Sequence, residues 1–324
     1  MSPPWIRSLR LATFAPSLRS GCHPERSEGA KVASLSDRIH GGLIPAVPVP
    51  FRGTEMDAAA QRGYAAWMAA QPVAGVAVWA HTGRGPHLGA DARREVLDTW
   101  REALPDRVVV AGARDIGMAI EARRGKADAL LAFPQQNDPV GYHQRLSREL
   151  PVIAFYLYEA AGGVAYDDRT LHAILELSNV VGIKVATLDS VMTFQRIAGI
   201  MRQHPSKLLI TGEDRFLGYS LLLGARAALI GMGAALTDVQ ADLMKAHAAE
   251  DWSRFVALSE LCDRFAQVTF VHPIEGYIRR MLWAAAADGA LPAEACDDPW
   301  GPPLTDDERT VVERLVRDAR ASRA

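Results

Sequence analysis

The 324-residue chain is 49% hydrophobic and 23% charged, enough apolar material for a large core and too much for global disorder. Its formal net charge of −2 and isoelectric point near 6.5 supply no electrostatic attraction toward nucleic acid or an anionic membrane. Three cysteines, Cys22, Cys262 and Cys296, with no CxxC spacing argue against a disulfide framework or a zinc site and fit a reducing cytoplasm.

In chain order, residues 1–35 come first. Arg7 and Arg10 precede a short apolar stretch, Leu11 to Phe14, but charge returns at Arg19, Glu25 and Arg26. A signal peptide needs a longer apolar stretch and a small-residue cleavage site. Residues 1–35 are therefore expected to be a disordered extension, or the product of a start codon placed too early. No apolar run reaches the ~18 residues of a membrane span.

From Gly41 onward short apolar runs alternate with amphipathic ones. Strands are expected over Leu43–Val47, Gly75–Trp79, Val108–Ala111, Ala129–Phe133, Val152–Tyr156, Val180–Lys184, Leu208–Thr211 and Ala227–Ile230. Helices are expected between them, over Asp57–Ala70, Asp91–Ala103, Ile116–Lys126, Val140–Leu150, Asp168–Leu177, Ser190–Gln203 and Phe216–Leu223. Eight such runs predict an α/β fold, a TIM (β/α)8 barrel over residues 36–236. A doubly wound sheet shares the alternation, but no GxGxxG turn follows the first strand, which ends in Val47-Pro48-Val49-Pro50-Phe51. Residues 237–324 then read as a C-terminal α-helical region, with helices over Thr237–Ala249, Asp251–Val268, Ile274–Asp288 and Asp306–Ala324. Thr305 and Glu308 have capping-box spacing at the start of the last.

Catalytic groups of such barrels sit at the C-terminal ends of strands. The chain has only five lysines, and Lys184 closes the apolar strand Val180–Lys184. Desolvation there lowers an amine's pKa and makes it nucleophilic; a surface lysine, or half of a buried ion pair, is the other reading. Tyr156 ends the neighbouring strand and is a candidate proton shuttle, against the alternative of a core aromatic. Tyr158, two residues on, competes for that role. His81-Thr82-Gly83-Arg84-Gly85 follows the second strand as a loop able to turn amides toward an anion. Thr211-Gly212-Glu213-Asp214 follows the seventh, where a helix N-cap with first-turn acids is the simpler reading. Gln135, Gln136 and Asn137 follow the fourth. His87, His143, His172 and His247 show no metal-ligand spacing, so neither metal nor cofactor is expected.

Together these segments resemble the dihydrodipicolinate synthase/N-acetylneuraminate lyase family of class I aldolases, over roughly residues 41–318. The resemblance is carried by Gly42–Phe51, Val181-Gly182-Ile183-Lys184, Tyr156 lying 28 positions earlier, Thr211–Asp214, Gly224–Gly231, His272-Pro273-Ile274 and Pro302-Pro303-Leu304. It implies a Schiff base between Lys184 and a 2-keto acid such as pyruvate, with Tyr156 as catalytic tyrosine. It also implies substrate contacts at Thr82, Gly83, Gly212 and Ile230, and a homotetramer built as a pair of dimers. Departures are plain. His81 stands where the family has a relay threonine, and Gln136 where it has a relay tyrosine lent by a neighbouring subunit. The arginine that clamps the second substrate's carboxylate falls near Ala161. Dihydrodipicolinate synthesis itself is therefore not expected; His81 is a candidate replacement for the relay, and Arg84 for the lost positive charge. The expected function is an aldolase, lyase or dehydratase of a small keto acid. A non-catalytic keto-acid or sugar-acid binding homologue, and a barrel of unrelated chemistry, are the alternatives.

Overall fold

The computed structural model describes residues 33–323. The expectations for residues 1–32, Cys22 and Lys31 included, lie outside the described residues. The remainder forms one compact unit.

Eight parallel strands build the barrel: β1 Leu43–Pro45, β2 Gly75–Val78, β3 Val108–Ala113, β4 Ala129–Ala132, β5 Val152–Leu157, β6 Val180–Ala186, β7 Leu208–Thr211 and β8 Ala227–Ile230. The hydrogen-bonded order runs β1-β8-β7-β6-β5-β4-β3-β2. A parallel bridge between Ala46 and Ala77, with the Val47 amide donating to the Ala77 carbonyl at 3.1 Å, joins the first and last of these and closes the ring. The strands are buried on both faces, which is why their sequences are continuous apolar runs rather than alternating ones. Alternate residues supply two separate cores. Ile44, Val110, Leu131, Ile153, Phe155 and Ile210 fill the barrel interior. Val109, Leu130, Ala154, Tyr156, Ile183 and Ile230 pack outward against the helices.

The helices begin where the sequence supplies caps. Asp57, Asp115, Asp167 and Ser190 each accept a backbone N–H of the first turn, opening Ala58–Ala69, Ile116–Arg124, Asp168–Leu175 and Val191–Met201. The Thr305–Glu308 capping box is present at the start of Asp306–Ala321. The helix Thr237–Ala248 packs against β1 and shares the outer core, so it is the barrel's eighth helix. The boundary expected at residues 236/237 therefore falls inside the barrel. Beyond it come Trp252–Thr269, a 3₁₀ turn Ile274–Gly276, Tyr277–Ala287 and Asp306–Ala321.

The region after Thr269 positions the site. Arg280 is fully buried, and its guanidinium donates to the carbonyls of Val271 at 2.9 Å and Pro273 at 3.3 Å and to Glu308 at 2.6 Å. One planar, permanently charged fork thus ties together the segment leading to Glu275 and the start of the last helix. Among the described residues no helix is long and apolar enough to cross a membrane.

Candidate active site

Lys184 lies on β6, and its side chain enters a cavity at the C-terminal mouth of the barrel. The cavity is also lined by His81, Thr82, Phe155, Tyr158, Gly212, Asp214 and Tyr277. The ammonium stands over the Phe155 ring, 4.2 Å from its centroid. Burial pushes the amine's pKa well below the lysine value of 10.5, against the opposing charges of Asp214 and Glu213. Burial likewise pushes the Asp214 carboxyl up; its oxygen accepts the Met232 amide at 2.7 Å.

Tyr156 is not in this cavity. Val152 on β5 pairs with Val180 on β6, but the register then shifts, so that Ile153 pairs with Gly182, Phe155 with Lys184 and Tyr156 with Val185. The extra residue in β6 is a β-bulge. Because strand side chains alternate, a slip of one residue moves a side chain to the other face. Tyr156 therefore packs into the outer core, and the ring beside the amine is the hydroxyl-free Phe155. Tyr158, just past the end of β5, lines the cavity in its place, as does Tyr277.

The loop after β2 is held in an unusual shape. Trp79 and Arg84 both have left-handed backbone, with φ of 55° and 51°, a conformation that costs on the order of 1–3 kcal/mol for such residues. A Cβ on Gly85 would stand 1.9 Å from the Trp79 carbonyl oxygen, so only glycine fits there. Side-chain ion pairs fasten the loop. Arg84 donates to both oxygens of Asp298, at 3.1 and 2.7 Å, and to Glu275 at 2.9 Å. Arg84 is thus a buried, fully engaged anchor, which corrects its expected role as a free positive charge for substrate. His81 Nε2 meets both Glu275 oxygens at 2.9 and 3.1 Å. Burial works to raise the Glu275 carboxyl, but the hydrogen bonds and charges of His81 and Arg84 overcome it and bring it down to about 2. Thr82 Oγ1 lies 3.0 Å from the Tyr277 hydroxyl. Among the described residues, the amides of Thr82 and Gly83 donate to no other group.

Gly212 faces the lysine closely: a Cβ there would come 2.6 Å from Lys184 Cε and 2.9 Å from Ala186 Cβ. Gly212→Ala is expected to displace the amine and cut its reaction with a keto acid by about 100-fold, since misplacement of ~1 Å costs that much. Borohydride trapping rates with the fold checked by circular dichroism measure this. Glu213 and Asp214 do not cap a helix, contrary to the simpler expectation. The following helix, Leu217–Leu222, has Phe216 at its N-cap and no side-chain cap. Glu213 instead turns inward, accepting the Thr187 amide at 2.6 Å, the Thr187 hydroxyl at 3.0 Å and the Leu188 amide at 3.0 Å. Burial pushes its carboxyl up to about 8, against the pull of those bonds.

One further expectation is corrected, that for Ile230. Ile230 has its side chain in the outer core, and its carbonyl accepts the Ala46 amide at 2.8 Å; the next residue, Gly231, lines the cavity. Gln136 is exposed on the loop after β4, outside its own chain's cavity. Glu275, Tyr277 and Asp298 were not legible as site residues, because they come from the C-terminal region, 90 or more residues after Lys184 in sequence. Among the described residues no three His, Cys, Asp or Glu side chains are grouped to hold a metal ion.

No protein-family model matches the chain. A 4-hydroxy-tetrahydrodipicolinate synthase from Nitrobacter hamburgensis is 25% identical over 234 residues, 68% of this chain and 78% of its own. The crystal structure of N-acetylneuraminate lyase from Mycoplasma synoviae matches with a TM-score of 0.72 at 20% identity, over 87% of this chain and 98% of that one. The E. coli K12 prophage protein YagE, of the dihydrodipicolinic acid synthase family and in complex with pyruvate, matches with a TM-score of 0.76 at 19% identity, over 86% and 98%. In sequence the chain is similar to 4-hydroxy-tetrahydrodipicolinate synthases, and in its closed barrel to members of the dihydrodipicolinate synthase/N-acetylneuraminate lyase family, from all of which it diverges widely.

Proposed function

We propose that the protein is a class I aldolase or lyase that joins Lys184 to a small 2-keto acid through a Schiff base. The single observation carrying this is the solitary amine buried in the barrel mouth, its pKa lowered by desolvation. An uncharged amine attacks the ketone, water leaves, and the resulting iminium acts as an electron sink for making or breaking the adjacent carbon–carbon bond, or for dehydration. The unengaged amides of Thr82 and Gly83 suit the substrate carboxylate, because backbone N–H groups turned to one side of a loop stabilise an anion. The cavity's other walls, Phe155, Leu157, Phe270 and Tyr277, favour a short substrate such as pyruvate over a long polyol. We take it to act in the cytoplasm, where the buried, unpaired Cys262 and Cys296 stay reduced, and, as the sequence resemblance implies, as a pair of dimers.

The loss of a hydroxyl beside Lys184 is the one observation favouring the second reading, a keto-acid binder without turnover. Borohydride trapping tests the covalent reading. Incubation with pyruvate and reduction is expected to add the reduced pyruvyl group to one peptide, at Lys184. An adduct on another lysine, or none with pyruvate or any related keto acid, sinks the covalent reading.

A further inference from the structure

The geometry points to a proton-handling device built within one chain, in which the Tyr158 phenol moves the protons of the Schiff-base reaction and Glu275 positions it. This rests on the covalent reading of Lys184. The strand neighbour of Lys184 is Phe155, which has no proton to give, and Tyr156 faces away. Gln136, where the family's pattern has a tyrosine lent across subunits, is an exposed amide that cannot titrate. Two phenols nevertheless reach the cavity, Tyr158 and Tyr277. Tyr277 is engaged with Thr82 Oγ1 at 3.0 Å and stacked on Phe270, with ring centroids 4.7 Å apart. Tyr158 is differently placed: its hydroxyl donates to Glu275 Oε1 at 3.4 Å, a long bond that leaves it free to turn toward a substrate.

Glu275 is the fixed point of the arrangement. Its two oxygens receive His81, Arg84 and Tyr158, and Arg84 is locked in turn by Asp298. The carboxylate is thereby held ionised, so it orients the phenol without exchanging protons itself. Burial, together with this negative charge, keeps Tyr158 protonated in the resting site.

The proton balance closes on one residue. In the carbinolamine formed from Lys184 and a keto acid, the nitrogen lone pair forms the C=N bond as the C–O bond breaks. The departing hydroxyl takes the Tyr158 proton and leaves as water. Tyrosinate and iminium then face each other as an ion pair. The tyrosinate takes a proton from the carbon next to the imine, the C–H electron pair becomes the enamine double bond, and the C=N pair returns to nitrogen. The phenol is restored, and the net change is carbinolamine to enamine plus water.

The test needs only pyruvate. Exchange of its methyl protons in D₂O, followed by NMR, reports the iminium–enamine step, and borohydride trapping reports Lys184 separately. Tyr158→Phe is expected to slow exchange by about 10²–10⁴-fold while the adduct still forms on Lys184. Tyr156→Phe is expected to exchange within about twofold of the unaltered protein, as surface or packing changes without a site role do. Glu275→Gln is expected to slow exchange at saturating pyruvate by about tenfold with the half-saturating concentration little changed, and Glu275→Asp to recover part of it. Normal exchange in Tyr158→Phe, or loss in Tyr156→Phe instead, overturns the assignment of Tyr158. A Glu275→Gln effect confined to half-saturation overturns the positioning role. No adduct on Lys184 in the unaltered protein removes the covalent reading and this one together.

Discussion

Lys184→Met is expected to abolish the borohydride adduct and to lower pyruvate exchange by on the order of 10³-fold or more, because no other group at the site can form an imine. The loss is chemical and not structural. Methionine fills the space of the lysine stem and lacks only the amine, and a thioether packs favourably beside an aromatic ring such as that of Phe155. The barrel interior below it is apolar, and the nearby Asp214 carboxyl keeps the Met232 amide as a partner. Removing a desolvated amine from such surroundings leaves stability level or raises it, so the melting temperature is expected to hold or rise. The same site sets a pH dependence whose sign follows from its charges. Burial lowers the Lys184 pKa, so the reactive neutral amine grows as pH rises through that lowered value, well before the 10.5 of an ordinary lysine. Asp214 opposes this by favouring the charged amine. Asp214→Asn is therefore expected to move the midpoint of the trapping rate to lower pH. A shift to higher pH, or none, shows that the carboxylate does not act on the amine.

The second large effect is on stability. Asp298→Ala is expected to destabilise the fold by about 3–5 kcal/mol, the cost of leaving one member of a buried ion pair without its partner. Arg84 and Asp298 expose only 6% and 1% of their side chains and meet through two hydrogen bonds, so solvent cannot replace the lost carboxylate. Urea unfolding with the slope unchanged measures the loss. Arg84→Met combined with Asp298→Ala is expected to recover much of it, because both charges are then gone. The function suffers separately. With Asp298 gone, Arg84 keeps only its bond to Glu275, the left-handed turns at Trp79 and Arg84 are held less firmly, and the amides of Thr82 and Gly83 lose part of their fixed direction. The half-saturating pyruvate concentration is expected to rise in Asp298→Ala even where the protein is fully folded. Unchanged stability in the single variant contradicts the anchor role.

Much of this molecule is local in origin. The eight apolar runs and the Thr305–Glu308 box each act within a few residues, and each appears where the sequence places it. Lys184 was legible for the same reason: it ends an apolar strand, and barrel strands end at the site. The misreadings have a common cause. Tyr156 stands 28 positions before Lys184, and an unbroken register would pair them. One bulge near Val181 changes the pairing by a residue and leaves Lys184 and Tyr156 on opposite faces of the sheet. A bulge leaves no mark in composition or period, since Val180–Ala186 is equally apolar with or without it.

Arg84, Glu275 and Asp298 show the other limit. Each is a charged residue in polar company, which in sequence reads as solvated surface. Only the return of the chain over the barrel mouth, pinned by the buried Arg280, brings residues almost 200 positions apart within 2.9 Å. The sequence by itself determined the barrel, its ends and the amine at its mouth, because periodicity and capping are short-range. The tertiary structure alone decided which tyrosine faces that amine and which carboxylate holds it, because face and partner depend on register and on contacts the chain makes far from home.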